Sequence, residues 1–139
     1  MSDNVTYIPS QILPGESELL RERSFTRWMS RDLRQAATDF CKNIGLLAIY
    51  SEFSPDGLTR YLFWNPPPAT CFEIRSGRTF EQFKAFDQKN AEAGRRLLSL
   101  HINENHIYSA VWISADQYET AASILAAYGI TPAERIATE

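Results

Sequence analysis

The sequence predicts a single α+β domain: an antiparallel sheet with helices packed on one face, assembled from repeated units of helix, glycine and β-hairpin. Three observations carry this. Apolar residues recur at helical spacing in three segments. Each segment starts at a hydroxyl residue and stops at a glycine fifteen residues later. The first two of those glycines are followed by two strand-like runs joined by a polar turn.

The helices come first. Leu33, Ala36, Ala37, Phe40 and Ile44 fall on one stripe, as do Tyr118, Ala121, Ala122, Leu125 and Tyr128. Such spacing marks an amphipathic helix with its apolar side turned to a core. The middle helix repeats Phe80, Phe83 and Phe86, extended by Ala91. Ser30, Thr79 and Ser114 stand where a side-chain oxygen can accept from an orphan amide. Asp32, Glu81 and Asp116 follow two positions on, where an acid suits the positive end of the helix dipole. Gly45, Gly94 and Gly129 suit the left-handed position that ends a helix. The common register of cap, acid and glycine indicates an internal repeat.

The hairpins follow. Leu46 to Phe53 and Leu58 to Trp64 read as strands around the turn Ser54-Pro55-Asp56-Gly57, in which proline sets φ and glycine permits its positive range. Leu97 to Ile102 and Ile107 to Ile113 form the second pair, around Asn103-Glu104-Asn105. Asn65-Pro66-Pro67-Pro68 cannot continue a central strand, because proline donates no ladder hydrogen bond. Cys71 to Arg75 then reads as an additional strand. Residues 1–15 read as an extended N-terminal arm, 16–132 as the domain, with a short charged turn of helix over Glu16 to Arg23, and 133–139 as a frayed tail. The chain starts and stops partway through a unit, which leaves a sheet edge to be covered or paired; a homodimer is one way to do so.

Composition narrows the function. With 139 residues, 44% hydrophobic and 22% charged, the chain can build a core without metals or disulfides. A net charge of −3 argues against general nucleic-acid binding. No stretch is long and apolar enough for a membrane span, and Met1 to Gly15 lacks the basic and apolar regions of a signal peptide, so a cytoplasmic location is expected. Cys41 and Cys71 read as small buried thiols. Arg21, Arg23, Arg27, Arg31 and Arg34 cluster near the start. They are either a solvated helix face or a site for phosphate or carboxylate.

Tyr108-Ser109-Ala110-Val111-Trp112, followed by Ser114 to Gly129, resembles a unit of the tandem repeats of the polyglycine hydrolase-like type; Arg60 to Trp64 matches more loosely. The resemblance extends from Phe25 to Pro132. It implies an accessory domain of sheet and helix whose associated proteolysis belongs to a separate serine β-lactamase-like domain. The Ser-x-x-Lys nucleophile of such enzymes is absent from this sequence, so the resemblance transfers no catalytic residue.

Candidate chemistry is sparse. His101, Glu104 and His106 flank one hairpin turn and could meet a metal, or serve a small hydrolase together with Cys41. Asp56 and Asp87 offer carboxylates with no partner that spacing identifies. No phosphate loop or dinucleotide fingerprint occurs, and no cofactor is implied. Trp28, Trp64 and Trp112 occupy corresponding positions of their units and read as repeating core. The leading expectation is a non-enzymatic protein-binding module, such as a small partner or inhibitor of another protein. Its surface is expected at Tyr50, Phe53, Tyr61 and the loop of Pro66, Pro67 and Pro68. A self-associating structural repeat is a further alternative.

Overall fold

The computed structural model describes residues 4–137. The elements run β1 (Val5–Ile8), α1 (Ser17–Ser24), α2 (Arg31–Asn43), β2 (Leu47–Phe53), β3 (Thr59–Trp64), β4 (Phe72–Arg78), α3 (Phe80–Glu92), β5 (Arg95–Ile102), β6 (Tyr108–Ser114), a 3-10 turn (Ala115–Gln117), α4 (Tyr118–Ala127) and β7 (Glu134–Ala137). The fold is α+β, with small antiparallel sheets on which the helices pack.

α2 and α3 start where the repeat places them, α4 starts only at Tyr118, and all three glycines follow their helices as expected. Gly45, Gly94 and Gly129 have φ of 85°, 81° and 74°, a region that costs a side chain energy but not glycine. The caps differ in detail. Thr79 forms a full capping box: its hydroxyl accepts from the Gln82 amide, and the Gln82 side chain accepts from the Thr79 amide. Ser30 and Ser114 make no side-chain cap bond, and Ser114 leads into the 3-10 turn before α4.

The two hairpins belong to separate sheets. β2 pairs with β3 alone, while β4, β6 and β5 form a three-stranded sheet in that order. The β2–β3 hairpin lies over one face of this larger sheet, and Leu47, Ile49, Tyr50 and Leu62 join Leu98, Val111, Ile113 and Leu125 in one core. α3 covers the opposite face with Phe83 against Leu100, Ala110 and Trp112. β2 is buried along nearly its whole length, so its unpaired edge needs polar partners. β5 and Asn103 just after it supply them through alternate side chains. Ser99 Oγ donates to the Ile49 carbonyl at 2.7 Å, Asn103 Nδ2 donates to the Phe53 carbonyl at 3.1 Å, and His101 Nδ1 accepts from the Phe53 amide at 3.4 Å.

The arm and the tail are a correction to the sequence reading. β1 pairs antiparallel with β7, from Val5 opposite Ala137 to Ile8 opposite Glu134, so the tail is a strand up to Ala137. Residues 1–3 of the arm and 138–139 of the tail lie outside the described residues. The tie is partly electrostatic. Asp87 on α3 is 1% exposed, and its carboxylate accepts from Tyr7 Oη at 2.6 Å, Trp112 Nε1 at 3.0 Å and Arg135 Nε at 2.6 Å. Four elements thereby meet on one buried charge. Pairing partners some 130 residues apart leave no local signature.

α2 differs most from expectation. Its apolar stripe faces solvent: Leu33, Phe40 and Ile44 are 57%, 63% and 55% exposed, and no residue of the helix is buried. The corresponding stripe of α4 is core, with Ala121 and Leu125 fully buried. The tryptophans split the same way. Trp112 is fully buried, whereas Trp28 is 40% exposed, with the Arg60 guanidinium over its ring.

Asp87→Ala is expected to cost about 3 kcal/mol or more, because it strands a buried indole N–H and leaves Arg135 without its counter-charge. Denaturant unfolding of the full chain checks this; a loss under about 1 kcal/mol contradicts the central role given to the carboxylate.

Candidate functional site

A cleft of about 590 Å³ lies between α2, the β2–β3 hairpin and β4. One wall is β4 with the two residues before it, which line the cleft as an unbroken stretch from Thr70 to Ser76. β4 is an edge strand. It pairs with β6 on one side, and no strand lies on its other side among the described residues. The opposite walls are Tyr61 and Phe63 of the hairpin and Arg34, Thr38 and Lys42 of α2.

The lining is cationic. Arg34, Lys42, Arg75, Arg78 and Arg95 outnumber Asp39 and Glu73. Two of these guanidiniums are brought together by a β-bulge. Arg75 sits opposite Ala110 and Arg78 opposite Tyr108, with a register shift between them. Strict alternation puts residues 75 and 78 on opposite faces, but the extra residue turns both to the α3 side. Both guanidiniums accordingly lie over the Phe86 ring, at 4.5 and 5.3 Å from its centroid. Gly77 within the bulge has φ of 69°, and a Cβ there would meet the Phe53 ring at 2.8 Å.

The charges divide into partnered and unpartnered. Glu73 accepts from Arg75 Nε at 2.7 Å and from Asn90 Nδ2 at 2.9 Å. Burial pushes its carboxyl up, but these donors and the charges of Arg75 and Arg95 together hold it below the ordinary value. Arg34 donates only to a neutral group, Thr59 Oγ1 at 2.9 Å. Among the described residues, neither Arg34 nor Arg78 makes an ion pair with a carboxylate. Arg78 Nε is buried without a hydrogen-bond partner. Burial, followed by the charges of Arg75, Arg34 and Arg31, pulls the Arg78 guanidinium below its ordinary value. Guanidiniums held together against their own repulsion favour an incoming anion.

The structure redistributes the residues singled out from sequence. Tyr50 and Tyr61 are 1% and 3% exposed and belong to core clusters, so they cannot supply broad contact area to a partner. Both have side chains on strands buried from two sides, a condition that alternation alone does not reveal. Phe53 is half-buried against Gly77. Pro67 and Pro68 are exposed and Pro66 half-buried; their loop reaches the end of the cleft, where Thr70 Oγ1 donates to the Pro67 carbonyl.

His101, Glu104 and His106 do not assemble. His101 Nδ1 is occupied by the Phe53 amide, while Glu104 and His106 are exposed on the turn. No group of three His, Cys, Asp or Glu able to hold a metal occurs among the described residues. Both cysteines are free. Cys71 is exposed rather than buried, and Cys41 is half-buried, with burial pushing its thiol up, so it is not an activated nucleophile.

The N-terminal arginines also separate. Arg21 is buried and donates to the Tyr128 carbonyl at 2.7 Å, where it satisfies the C-terminal end of α4. Arg23, Arg27 and Arg31 are exposed, and Arg34 enters the cleft. Its partners Arg75, Arg78 and Arg95 were missed in the sequence because two strands deliver them. The strand expected over Cys71 to Arg75 runs on to Arg78, so Gly77 and the bulge lie beyond the run the sequence marks. No helix among the described residues is long and apolar enough to cross a membrane.

No family model, curated protein or solved structure matches the chain.

His101 carries a pH prediction. Burial, joined by Arg60 and opposed by Glu52, lowers its pKa, and the bond to the Phe53 amide requires a bare Nδ1. The unfolded chain therefore takes up a proton first as pH falls. The stabilisation is complete above the ordinary histidine value of about 6.5 and declines as pH drops from there towards the folded value. Unfolding of the parent and of His101→Gln, compared between about pH 7.5 and about pH 5.5, is expected to show the steeper loss in the parent. Equal slopes contradict it.

Proposed function

We propose that this chain is a non-enzymatic binding module that docks on another protein through α2 and the cleft beside it. The observation that carries the reading is the solvent-facing stripe of α2. Leu33, Phe40 and Ile44 are each more than half exposed on a helix with no buried residue. A thirteen-residue helix held by so little packing is marginal on its own, and an apolar face of this kind is a common docking element. Trp28, also exposed, precedes the same helix.

Two further observations support the reading. The polar residues most suggestive of chemistry are engaged in structure: Asp87 in its three bonds, and His101 of β5 in accepting from the Phe53 amide of β2. The likeness to accessory tandem repeats, in which catalysis belongs to a separate domain, points the same way.

The test is a pull-down from native lysate with the full chain and with a Leu33→Ser, Phe40→Ser double variant. A protein retained in stoichiometric amount by the parent is expected to fall at least about tenfold with the variant. The variant should keep its stability within about 0.5 kcal/mol, because both side chains are exposed. Undiminished retention by the variant removes α2 from the reading. Retention of further copies of the chain itself assigns the face to self-association instead.

A further inference from the structure

The cleft combines features that the binding-module reading leaves unexplained. β4 presents a strand edge with no strand beside it among the described residues. Natural sheets ordinarily cover or blunt such an edge, and here β2 illustrates the alternative, its edge closed by Ser99, His101 and Asn103. β4 is instead bordered by open space of about 590 Å³, and α2 stands across that space rather than against the strand. The lining pairs apolar side chains, Phe63 and Ile74, with the guanidiniums of Arg34 and Arg78, which have no carboxylate partner among the described residues. Arg78 Nε remains a buried donor without an acceptor.

These features fit an extended peptide. A strand laid along β4 gains main-chain hydrogen bonds from the edge, and its side chains alternate between two sides. One side then meets Phe63 and Ile74, while the other brings carboxylates to Arg34 and Arg78, where paired donors recognise carboxylate geometry. A free anion satisfies the arginines but makes no use of the strand edge.

We propose that the cleft between α2 and β4 receives an extended, carboxylate-bearing segment of a partner protein, which adds as a strand to the free edge of β4. The proposal rests on the binding-module reading and specifies the chemistry of what is bound.

The experiment is to pan a random ten-residue peptide library on the immobilised full chain. Enriched peptides are then resynthesised with a fluorescent label and titrated by anisotropy. The expected result is enrichment of Asp and Glu alternating with apolar residues. Arg34→Gln and Arg78→Gln should each weaken the labelled peptide by about tenfold or more, in keeping with charge-assisted bonds. Methylating alternate backbone nitrogens of the peptide should weaken it at least as much, since ladder bonds are lost. Removing the guanidinium of Arg78 strands no acceptor, so Arg78→Gln should fold; Arg34→Gln provides an independent second variant.

The proposal is overturned if no peptide is enriched over bare support, or if enriched peptides carry no acidic bias. It also fails if methylated peptides bind unchanged, which reduces the cleft to a charge patch, or if inorganic phosphate saturates the cleft as tightly as the peptide. The α2 double variant separates the two readings. If partner retention still depends on Leu33 and Phe40 while the library result is negative, strand addition falls and the binding module stands.

Discussion

The buried carboxylate of Asp87 ties the ribbon formed by both ends of the described chain to the α3 side of the core. A charge removed from water is tolerable only when its lone pairs are filled. Here a phenol, an indole and a guanidinium fill them, from β1, β6 and β7 around α3. The consequence extends beyond one site. The β1–β7 ribbon is a two-stranded pair of four residues each, too small to persist in isolation. Tyr7 and Arg135 fasten it to α3, and the ring of Tyr7 packs edge-on against Phe83 at 4.8 Å. The ends of the described chain are thus part of the α3 side of the core.

The other side of the molecule is governed by how strand edges are satisfied. β2 is central in burial but paired on one edge only, and Ser99 and His101 of β5 with Asn103 just after it serve its other edge. This solution needs polar residues at three alternate positions, Ser99 and His101 of β5 and Asn103 just beyond it. It also orients the β2–β3 hairpin over the larger sheet, and so sets the position of α2. β4 receives no comparable treatment. The contrast between one edge closed by side chains and another bordered by a cationic cleft is the clearest functional asymmetry in the fold.

Repetition in the sequence survives in the structure as local form, not as equivalent environment. The first and second units both run helix, glycine, hairpin, and their glycines adopt the same left-handed φ. Yet Trp112 lies at the centre of a core while Trp28 meets solvent and Arg60. The stripe of α4 is buried whereas that of α2 is bare. A helical period states which residues share a face; it does not state whether anything stands opposite that face. For α2, Ala37 meets the cluster of Met29, Ala48 and Tyr61, while Leu33, Phe40 and Ile44 of the same stripe stay exposed.

Local chemistry accounts for what could be read in advance. Helix starts follow from hydroxyl and acid positions, helix ends from glycine, the first hairpin turn from Pro55 and Gly57, and the α+β class from their order. These depend on interactions within a few residues, which the linear sequence contains. The pairing of Val5 with Ala137, the gathering of three donors on Asp87, the burial of Tyr50 and Tyr61, and the meeting of Arg34 with Arg75 and Arg78 depend on which surfaces pack together. The bulge at Gly77 is decisive for the last of these, since one added residue moves a guanidinium from one face of the strand to the other. Periodicity and capping chemistry sufficed for the elements; only the tertiary structure decided which faces were core and which charges were neighbours, because burial and electrostatic proximity arise from contacts between segments distant in the chain.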